Sequence, residues 1–234
     1  MASQRSFAFF DFDHTLINDN SDTWILEYLQ VAGYRDVLRQ GDWTAAMDQC
    51  MGLVKDQGVE ASQVEQAFQH IPQDSSAATK LITALQAAGH DVHIVSDANS
   101  LFIDWITKLW KLPTPLASVV TNPATVDAGR IRVVPACGSV LPVHSCQRCP
   151  KNLCKGEVVT RMLGTDGRSP AVYVGDGGND LCPILHMQAG DIACVRRGYA
   201  LERKITKAVK PHVVYWSTLD ELHQELKTLG VVSS

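Results

Sequence analysis

The chain has 234 residues, which fits one large domain or a core domain that carries an insertion. Hydrophobic residues make up 45% of it and charged residues 20%, an ordinary composition for a globular protein. The net charge of −4 gives no reason to expect a nucleic acid or an anionic membrane as the partner.

Six short apolar runs recur along the chain, each of strand length and rich in Val, Ile or Phe. Such runs are typical of strands buried on both faces of a parallel sheet. Helical patterns lie between them, so we predict an α/β fold with a doubly wound parallel sheet. The predicted strands are residues 7–12, 92–95, 117–120, 171–174, 192–195 and 213–216, and the predicted helices are 75–88, 100–110, 155–163, 199–209 and 220–229.

Two segments interrupt this alternation. Between about residues 20 and 70 the apolar positions follow helical spacing, which predicts a cap of three or four helices over the site. Residues 130–134 alternate in polarity after the turn sequence Asp-Ala-Gly, which predicts a β-hairpin insert. The predicted organisation is a first core part at residues 1–19, a helical cap at 20–87 and a second core part at 88–234.

Polar residues follow three of the predicted strands where each strand ends. Ligands of open α/β sheets bind beyond the carboxyl ends of the strands, so these chain-distant residues are expected to converge on one edge. They are Asp11 and Asp13 after the first strand, Ser96 and Asp97 after the second, and Asp176 after the fourth.

The acids on this edge predict a cation site. Burying Asp11 and Asp13 together is costly unless a cation compensates them, and Mg²⁺ prefers carboxylate oxygens. Taken alone, this pair fits an acidic turn equally well. Residues 175–180 (GDGGND) are more specific, because the glycines allow a sharp turn close to a ligand. Asp176 can complete the metal site, and Asp180 can orient the ligands of that site without binding the metal itself.

Two further residues are candidates for holding a phosphate. Ser96 offers a hydroxyl and free amides at a strand end, although capping a helix explains Ser96 or Asp97 equally well. Lys155 at the start of a predicted helix can neutralise a phosphate, although an isolated lysine there is most often a surface charge.

In order and spacing these motifs resemble the full set of the haloacid-dehalogenase-like hydrolases: Asp-x-Asp, a strand-terminal Ser, a Lys and the GDGGND run. The resemblance implies a Rossmann-like core with Asp11 as the nucleophile of a phosphatase, forming a phospho-aspartate intermediate. It implies that Asp13 protonates the leaving group and then activates water, and that Ser96 and Lys155 hold the phosphate. Asp13 also argues against the dehalogenase branch, because a departing halide needs no acid.

The same resemblance implies a magnesium cofactor. Its expected ligands are Asp11, the carbonyl of Asp13, and Asp176, supported from outside by Asn179 and Asp180. This agrees with the physics of phosphoryl transfer, in which positioning and charge stabilisation dominate.

Longer runs resemble the phosphatases that act on phosphoethanolamine, phosphocholine and pyridoxal phosphate, a family that includes plant thiamine phosphate phosphatase-like proteins. The resemblance implies that Asp22 and Asp97 bind the amine end of the substrate. Physically, two carboxylates suit a cationic group, and Trp24 would add a cation–π face. The alternative is that Asp22 caps a helix and Trp24 is a core residue. The runs are residues 11–24, 95–100, 121–123 and 144–155.

We therefore predict a Mg²⁺-dependent phosphatase for a small phosphomonoester with a cationic group, such as phosphocholine or phosphoethanolamine. Pyridoxal phosphate, thiamine monophosphate and pyrophosphate are alternative substrates. A non-catalytic phosphate-binding protein or a zinc-stabilised interaction module are alternatives of another class. The pair Asp11 and Asp13 opposes them, because binding alone needs no acid or base.

The seven cysteines bear on compartment and on metal binding. Their odd number and uneven spacing, with no apolar leader or membrane-length run, predict a cytoplasmic protein that binds neither membrane nor nucleic acid. His144, Cys146, Cys149 and Cys154 offer ligands for a structural zinc ion. Their spacing is cramped, so the alternative is a tight loop whose thiols pack and help to place Lys155.

Overall fold

The computed structural model describes residues 6–164 and 168–233. The strands are β1 (Ser6–Phe10), β2 (His90–Asn99), β3 (Ser118–Asn122), β4 (Ala124–Asp127), β5 (Arg130–Val133), β6 (Val172–Gly175), β7 (Ile192–Arg196) and β8 (His212–Trp216). The helices are α1 (Ser21–Tyr28), α2 (Tyr34–Leu38), α3 (Trp43–Asp56), α4 (Ala61–Ala67), α5 (Ser75–Ala87), α6 (Ser100–Trp110), α7 (Lys155–Leu163), α8 (Leu181–His186), α9 (Ala200–Lys204) and α10 (Leu219–Thr228). Short 3₁₀ turns cover Phe68–His70 and Gly178–Asp180.

Six strands form one parallel sheet in the order β3-β2-β1-β6-β7-β8. The strand order reverses between β1 and β6, and such a reversal opens a crevice at the carboxyl ends of the strands. Phe10 of β1 pairs with Ile94 on one side and Val174 on the other, and all three are fully buried. The six apolar runs are thus confirmed as strands of a doubly wound parallel sheet.

The helical insert forms four helices, α1 to α4, and the 3₁₀ turn after them. Helix α1 begins where the Asn20 side chain accepts the Thr23 amide, a standard N-cap. The insert packs against the core through Phe68, whose ring lies 4.7 Å from that of Phe102 on α6. The chain leaves and re-enters the core at adjacent points, because the Asn18 amide donates to the Pro72 carbonyl at 2.8 Å.

Helix α5 packs against β2, α6 and α10, all of which belong to the sheet domain. Its N-cap is Asp74, whose carboxylate accepts the Ala77 amide at 2.9 Å. The predicted boundary at residue 87 would assign α5 to the cap. Its packing favours a boundary ahead of Ser75, so that the cap comprises α1 to α4.

The hairpin insert is confirmed, since β4 and β5 pair antiparallel. Their turn uses Ala128 and Gly129 at φ 45° and 79°, the left-handed region that tight hairpin turns require. The helix predicted over residues 199–209 is wrong in extent, because α9 ends at Lys204. The C-cap Ile205 already has an extended backbone, with ψ 128°, and the Thr206 hydroxyl accepts the Ala208 amide just after it. In the described parts of the chain, every helix is too short or too polar to cross a membrane.

Candidate active site

The end of β1 places Asp11 at the centre of the crevice. Its amide still donates to Val174 of β6 at 2.9 Å, so the backbone here is fixed by the sheet. Its carboxylate lies 2.6 Å from Nζ of Lys155, the first residue of α7, and that Nζ is also 2.8 Å from Asp180. Lys155 is completely buried beneath the crevice, so it is not a surface charge. Burial alone would lower the pKa of Lys155, but the two carboxylates raise it, and the ammonium form persists.

The loop after β6 brings a second and a third acid to Asp11. Asp176 accepts the Thr15 hydroxyl at 3.1 Å, and burial and repulsion from Asp180 raise the pKa of Asp176 to about 7. Burial, with repulsion from Asp180, also raises the pKa of Asp11. Oxygens of Asp11, Asp176 and Asp180 all lie within 4.8 Å of one another. A buried cluster of this kind is stable when a cation shares it, and its all-oxygen donor set suits Mg²⁺.

Asp180 is held by four donors and therefore positions the loop. Its Oδ1 accepts the Tyr173 hydroxyl at 2.7 Å as well as Lys155, and its Oδ2 accepts the amides of Asp176 and Gly177 at 3.1 and 2.8 Å. A Cβ on Gly175 would lie 2.5 Å from the Asp180 carboxyl carbon, so glycine is required there. This arrangement fits the predicted role of Asp180, which is to orient the metal ligands without binding the metal itself.

Asp13 is tied to the first helix of the cap. Its two oxygens accept the Ser21 amide at 2.9 Å and the Asn20 side-chain amide at 3.2 Å. Burial and the nearby carboxylate of Asp22 raise the pKa of Asp13 to about 8. A carboxyl group with this pKa carries a proton at neutral pH, which is the state that a general acid needs.

The end of β2 supplies Ser96 and Asp97. Ser96 is buried, and its hydroxyl accepts the Ala98 amide at 3.3 Å. Asp97 accepts the side-chain amides of Asn152, at 3.0 Å, and of Asn179. The cap of α6 is Asn99, so the helix-cap alternative for Ser96 and Asp97 is wrong.

Asp22 lies at the far end of the crevice and is 3% exposed. It accepts the indole N–H of Trp43 at 2.8 Å and the Asn99 side-chain amide at 3.4 Å. Burial raises the pKa of Asp22 to about 6, although these two hydrogen bonds act to lower it. The carboxyl group is therefore largely ionised at neutral pH. Asn20, not Asp22, caps α1.

The aromatic residue beside Asp22 differs from the expected one. Trp24 stacks on Tyr28 and Phe68, with ring centroids at 4.8 and 5.8 Å, so the expectation that it faces the site is wrong. Trp43 lines the crevice instead. No spacing signal relates Trp43 to Asp22, because α2 and its connections separate them along the chain.

The crevice is a cavity of about 160 Å³. Five of its lining residues are aspartates, and no Lys or Arg lines it within the described part of the chain. Asn20 and Trp43 also line it, although spacing along the chain predicts neither of them. The five aspartates are Asp11, Asp13, Asp22, Asp97 and Asp176.

The four predicted zinc ligands fall into two overlapping groups, since His144 groups with Cys154 and Glu157, whereas Cys146 and Cys149 group with Cys154 and Cys182. The sulfur atoms of Cys146, Cys149, Cys154 and Cys182 cluster within 4.8 Å of one another. The Nε2 atom of His144 lies 2.9 Å from the Pro150 carbonyl oxygen instead.

Comparisons with known proteins show the family to which the chain belongs. Residues 6–229 match a family described as "Putative Phosphatase". The chain is 36% identical to pyridoxal phosphate phosphatase PHOSPHO2 of Mus musculus, over 94% of this chain and 96% of that one. It is 33% identical to a thiamine phosphate phosphatase-like protein of Arabidopsis thaliana, over 94% and 93% of the two chains. A structure described as a phospho-aspartyl intermediate analogue of phosphoserine phosphatase shares the fold, with a TM-score of 0.65, 18% identity and coverage of 95% and 99%.

Proposed function

The chain belongs to this phosphatase family of haloacid-dehalogenase-like hydrolases, and we propose that it is a Mg²⁺-dependent enzyme for small phosphomonoesters that carry a cationic group. Phosphocholine and phosphoethanolamine are the substrates that this chemistry describes. Pyridoxal phosphate is the second candidate, supported by the name of the mouse relative and by the indole face of Trp43, on which a pyridine ring can stack.

One observation carries the proposal: five aspartates line the crevice, while its cation, Lys155, lies buried beneath Asp11. A dianionic phosphate would be repelled by Asp11 and Asp176 unless a metal ion neutralised them. Asp22 and Asp97 are not among the proposed metal ligands. Their charges favour a substrate whose other end is positive.

The residues divide the reaction into two displacements. A carboxylate oxygen of Asp11 attacks phosphorus, the bond to the leaving oxygen breaks, and Asp13 gives that oxygen its proton. Water then attacks the phosphorus, and Asp13 takes a proton from the water as the bond from phosphorus to Asp11 breaks. Inorganic phosphate leaves, and both aspartates return to their starting states.

The other residues hold the phosphoryl group during both steps. Lys155 neutralises charge beside Asp11, and the hydroxyl of Ser96, which lines the crevice, would donate to a phosphoryl oxygen. Mg²⁺, when bound by Asp11, Asp176 and the Asp13 carbonyl, neutralises charge on the phosphoryl oxygens. Asp180 keeps Lys155 and the Asp176 loop in place.

The cationic end of the substrate is assigned to the cap side of the crevice. Asp22 is ionised and fixed by its two hydrogen bonds, so it presents a charge without having to reorganise. The indole of Trp43 is oriented by its bond to Asp22 and is 37% exposed. A quaternary or primary ammonium group lying beside this hydrogen-bonded pair would gain a charge pair with Asp22 and a cation–π contact with the indole face.

The test is phosphate release from phosphocholine, phosphoethanolamine, pyridoxal phosphate, thiamine monophosphate, pyrophosphate and glycerol 3-phosphate, each with Mg²⁺ and with chelator. We expect Mg²⁺-dependent release that favours one substrate with a cationic group over glycerol 3-phosphate, whose organic end is uncharged. The Asp22→Asn variant should lose that preference, whereas Asp36→Asn, a change on the exposed side of the cap, should keep it. Equal rates across the panel would refute the role of Asp22, and no release would refute the phosphatase.

A further inference from the structure

Four cysteines outside the crevice meet at one point. Cys146 and Cys149 come from the loop before α7, Cys154 is the N-cap of α7, and Cys182 lies in α8. The sulfur of Cys182 is 3.7 Å from that of Cys146 and 4.0 Å from that of Cys154. The geometry points to a structural tetrathiolate zinc site formed by these four residues.

The sulfur spacing matches that of a metal site. With Zn–S bonds of about 2.3 Å, tetrahedral geometry places the sulfurs about 3.8 Å apart. The observed separations of 3.7 and 4.0 Å bracket that value. They are far longer than a disulfide bond of about 2 Å, and all four cysteines are free.

The surrounding chain also calls for such a site. The 21 residues between β5 and α7 contain no helix or extended strand, an unusual length for a compact domain. Little of this loop is buried, yet its end sets the position of the catalytic lysine. Zinc bound by Cys146 and Cys149 would fix the loop without a hydrophobic core of its own.

The backbone is arranged to bring the four sulfurs together. A Cβ at Gly156 would lie 2.5 Å from the Cys182 sulfur, so glycine lets the first turn of α7 approach α8. The Cys154 sulfur accepts the Glu157 amide at 3.4 Å, which holds this side chain in position at the start of α7. Each thiol gives up its proton to solvent on binding the metal.

The site would connect the two elements that hold the catalytic charges. Cys154 directly precedes Lys155, and Cys182 follows Asp180 by two positions. Lys155 and Asp180 form the buried ion pair that supports Asp11. Zinc would therefore fix the α7 and α8 ends of that pair as a structural ion, distinct from the cation of the crevice.

The first test measures metal content in the full chain, purified without chelator, by mass spectrometry of the element. We expect one zinc per chain in the wild type and in Cys137→Ser, a matched control whose cysteine lies in the same loop but outside the cluster. Cys182→Ser should lose most of its zinc. Wild type without zinc, or Cys182→Ser with as much zinc as wild type, would overturn the site.

A second test needs only the folded wild type, in case Cys182→Ser does not fold. Cobalt exchanged into the protein should give thiolate-to-cobalt charge-transfer absorption and the intense visible bands of tetrahedral coordination. A mercurial reagent that blocks thiols should then release the metal. Cobalt binding without thiolate absorption would contradict the site. Neither measurement depends on turnover, so a failed phosphatase assay leaves this result intact.

Discussion

At the scale of single residues, the site is defined by carboxylates whose pKa values differ although they lie close together. Burial and the carboxylate of Asp22 raise the pKa of Asp13 to about 8. Burial raises the pKa of Asp22 only to about 6, because two hydrogen-bond donors lower it in turn. At neutral pH Asp13 holds a proton and Asp22 a charge. The first state suits an acid and the second suits the recognition of a cation.

The acid role of Asp13 predicts a dependence on the leaving group. In Asp13→Asn, turnover of phosphocholine should fall by roughly 10²- to 10⁴-fold, because the alkoxide leaves without a proton. The first burst of nitrophenolate from p-nitrophenyl phosphate should be largely kept, because that group needs no proton. Rapid-quench kinetics measures the first release of choline and of nitrophenolate. An equal loss of the two in Asp13→Asn would contradict the assignment.

The position of Trp43 predicts an effect on substrate binding alone. Trp43→Ala should raise KM for a cationic phosphomonoester by roughly tenfold, the effect of losing a desolvated cation–π contact, with kcat nearly unchanged. Trp24→Phe is the matched control, because Trp24 stacks within the cap. Steady-state kinetics measures KM and kcat for the two variants. A larger KM effect from Trp24→Phe than from Trp43→Ala would show that the wrong aromatic residue has been assigned.

At the scale of elements, an ion pair joins the starts of β6 and β7. Asp191 is buried and accepts two N–H groups of Arg168 at 2.6 and 2.7 Å, with the amides of Ala171 at 2.9 Å and Gln188 at 2.7 Å. Burial opposes ionisation of Asp191, but these donors outweigh it and lower its pKa below the ordinary 3.8. The pair therefore fixes the register of two core strands.

Removing that carboxylate should destabilise the fold. Asp191→Ala is expected to cost about 3 kcal/mol at pH 7, because Arg168 and two amides lose their partner. Since the folded-state pKa lies below the unfolded one, the stabilisation is complete above pH 3.8 and is lost as the pH falls through the folded value. Urea unfolding at pH 7 and pH 3 should show the gap between wild type and variant narrowing at the lower pH. A constant gap would mean that the charge of Asp191 does not contribute.

Helices and strands could be predicted from the sequence where they are completely buried. They were harder to predict where contacts between distant residues determine their ends or their partners. The apolar runs of β1, β2, β6 and β7 mark strands because both faces of the sheet are covered there. The end of α9 is set by the extended backbone of Ile205, which hydrophobic spacing does not reveal. Cys182 and Trp43 reach their partners from other elements, so the sequence motifs around Cys154 and Asp22 could not include them.

At the scale of the whole molecule, the crevice exists because two halves of the sheet are wound in opposite directions. The ends of β1 and β6 meet at the reversal, which brings Asp11 and Asp176 together from distant parts of the chain. The cap lines one side of the crevice, and its Asp48 accepts Arg130 at 3.1 Å and Arg132 at 3.0 Å from the hairpin. The cap thus contributes Asp22 and Trp43 from a fixed position.

The central claim is that the phosphoryl group passes through Asp11. The most direct measurement is to react the Mg²⁺-loaded protein with its best substrate, quench it, and reduce any acyl phosphate with borohydride. Reduction converts a phosphorylated aspartate to homoserine, which peptide mass spectrometry locates. We predict homoserine at position 11 in the wild type, and neither this product nor turnover in a folded Asp11→Asn variant. Phosphate release by Asp11→Asn at the wild-type rate, or trapping at another residue, would contradict the account.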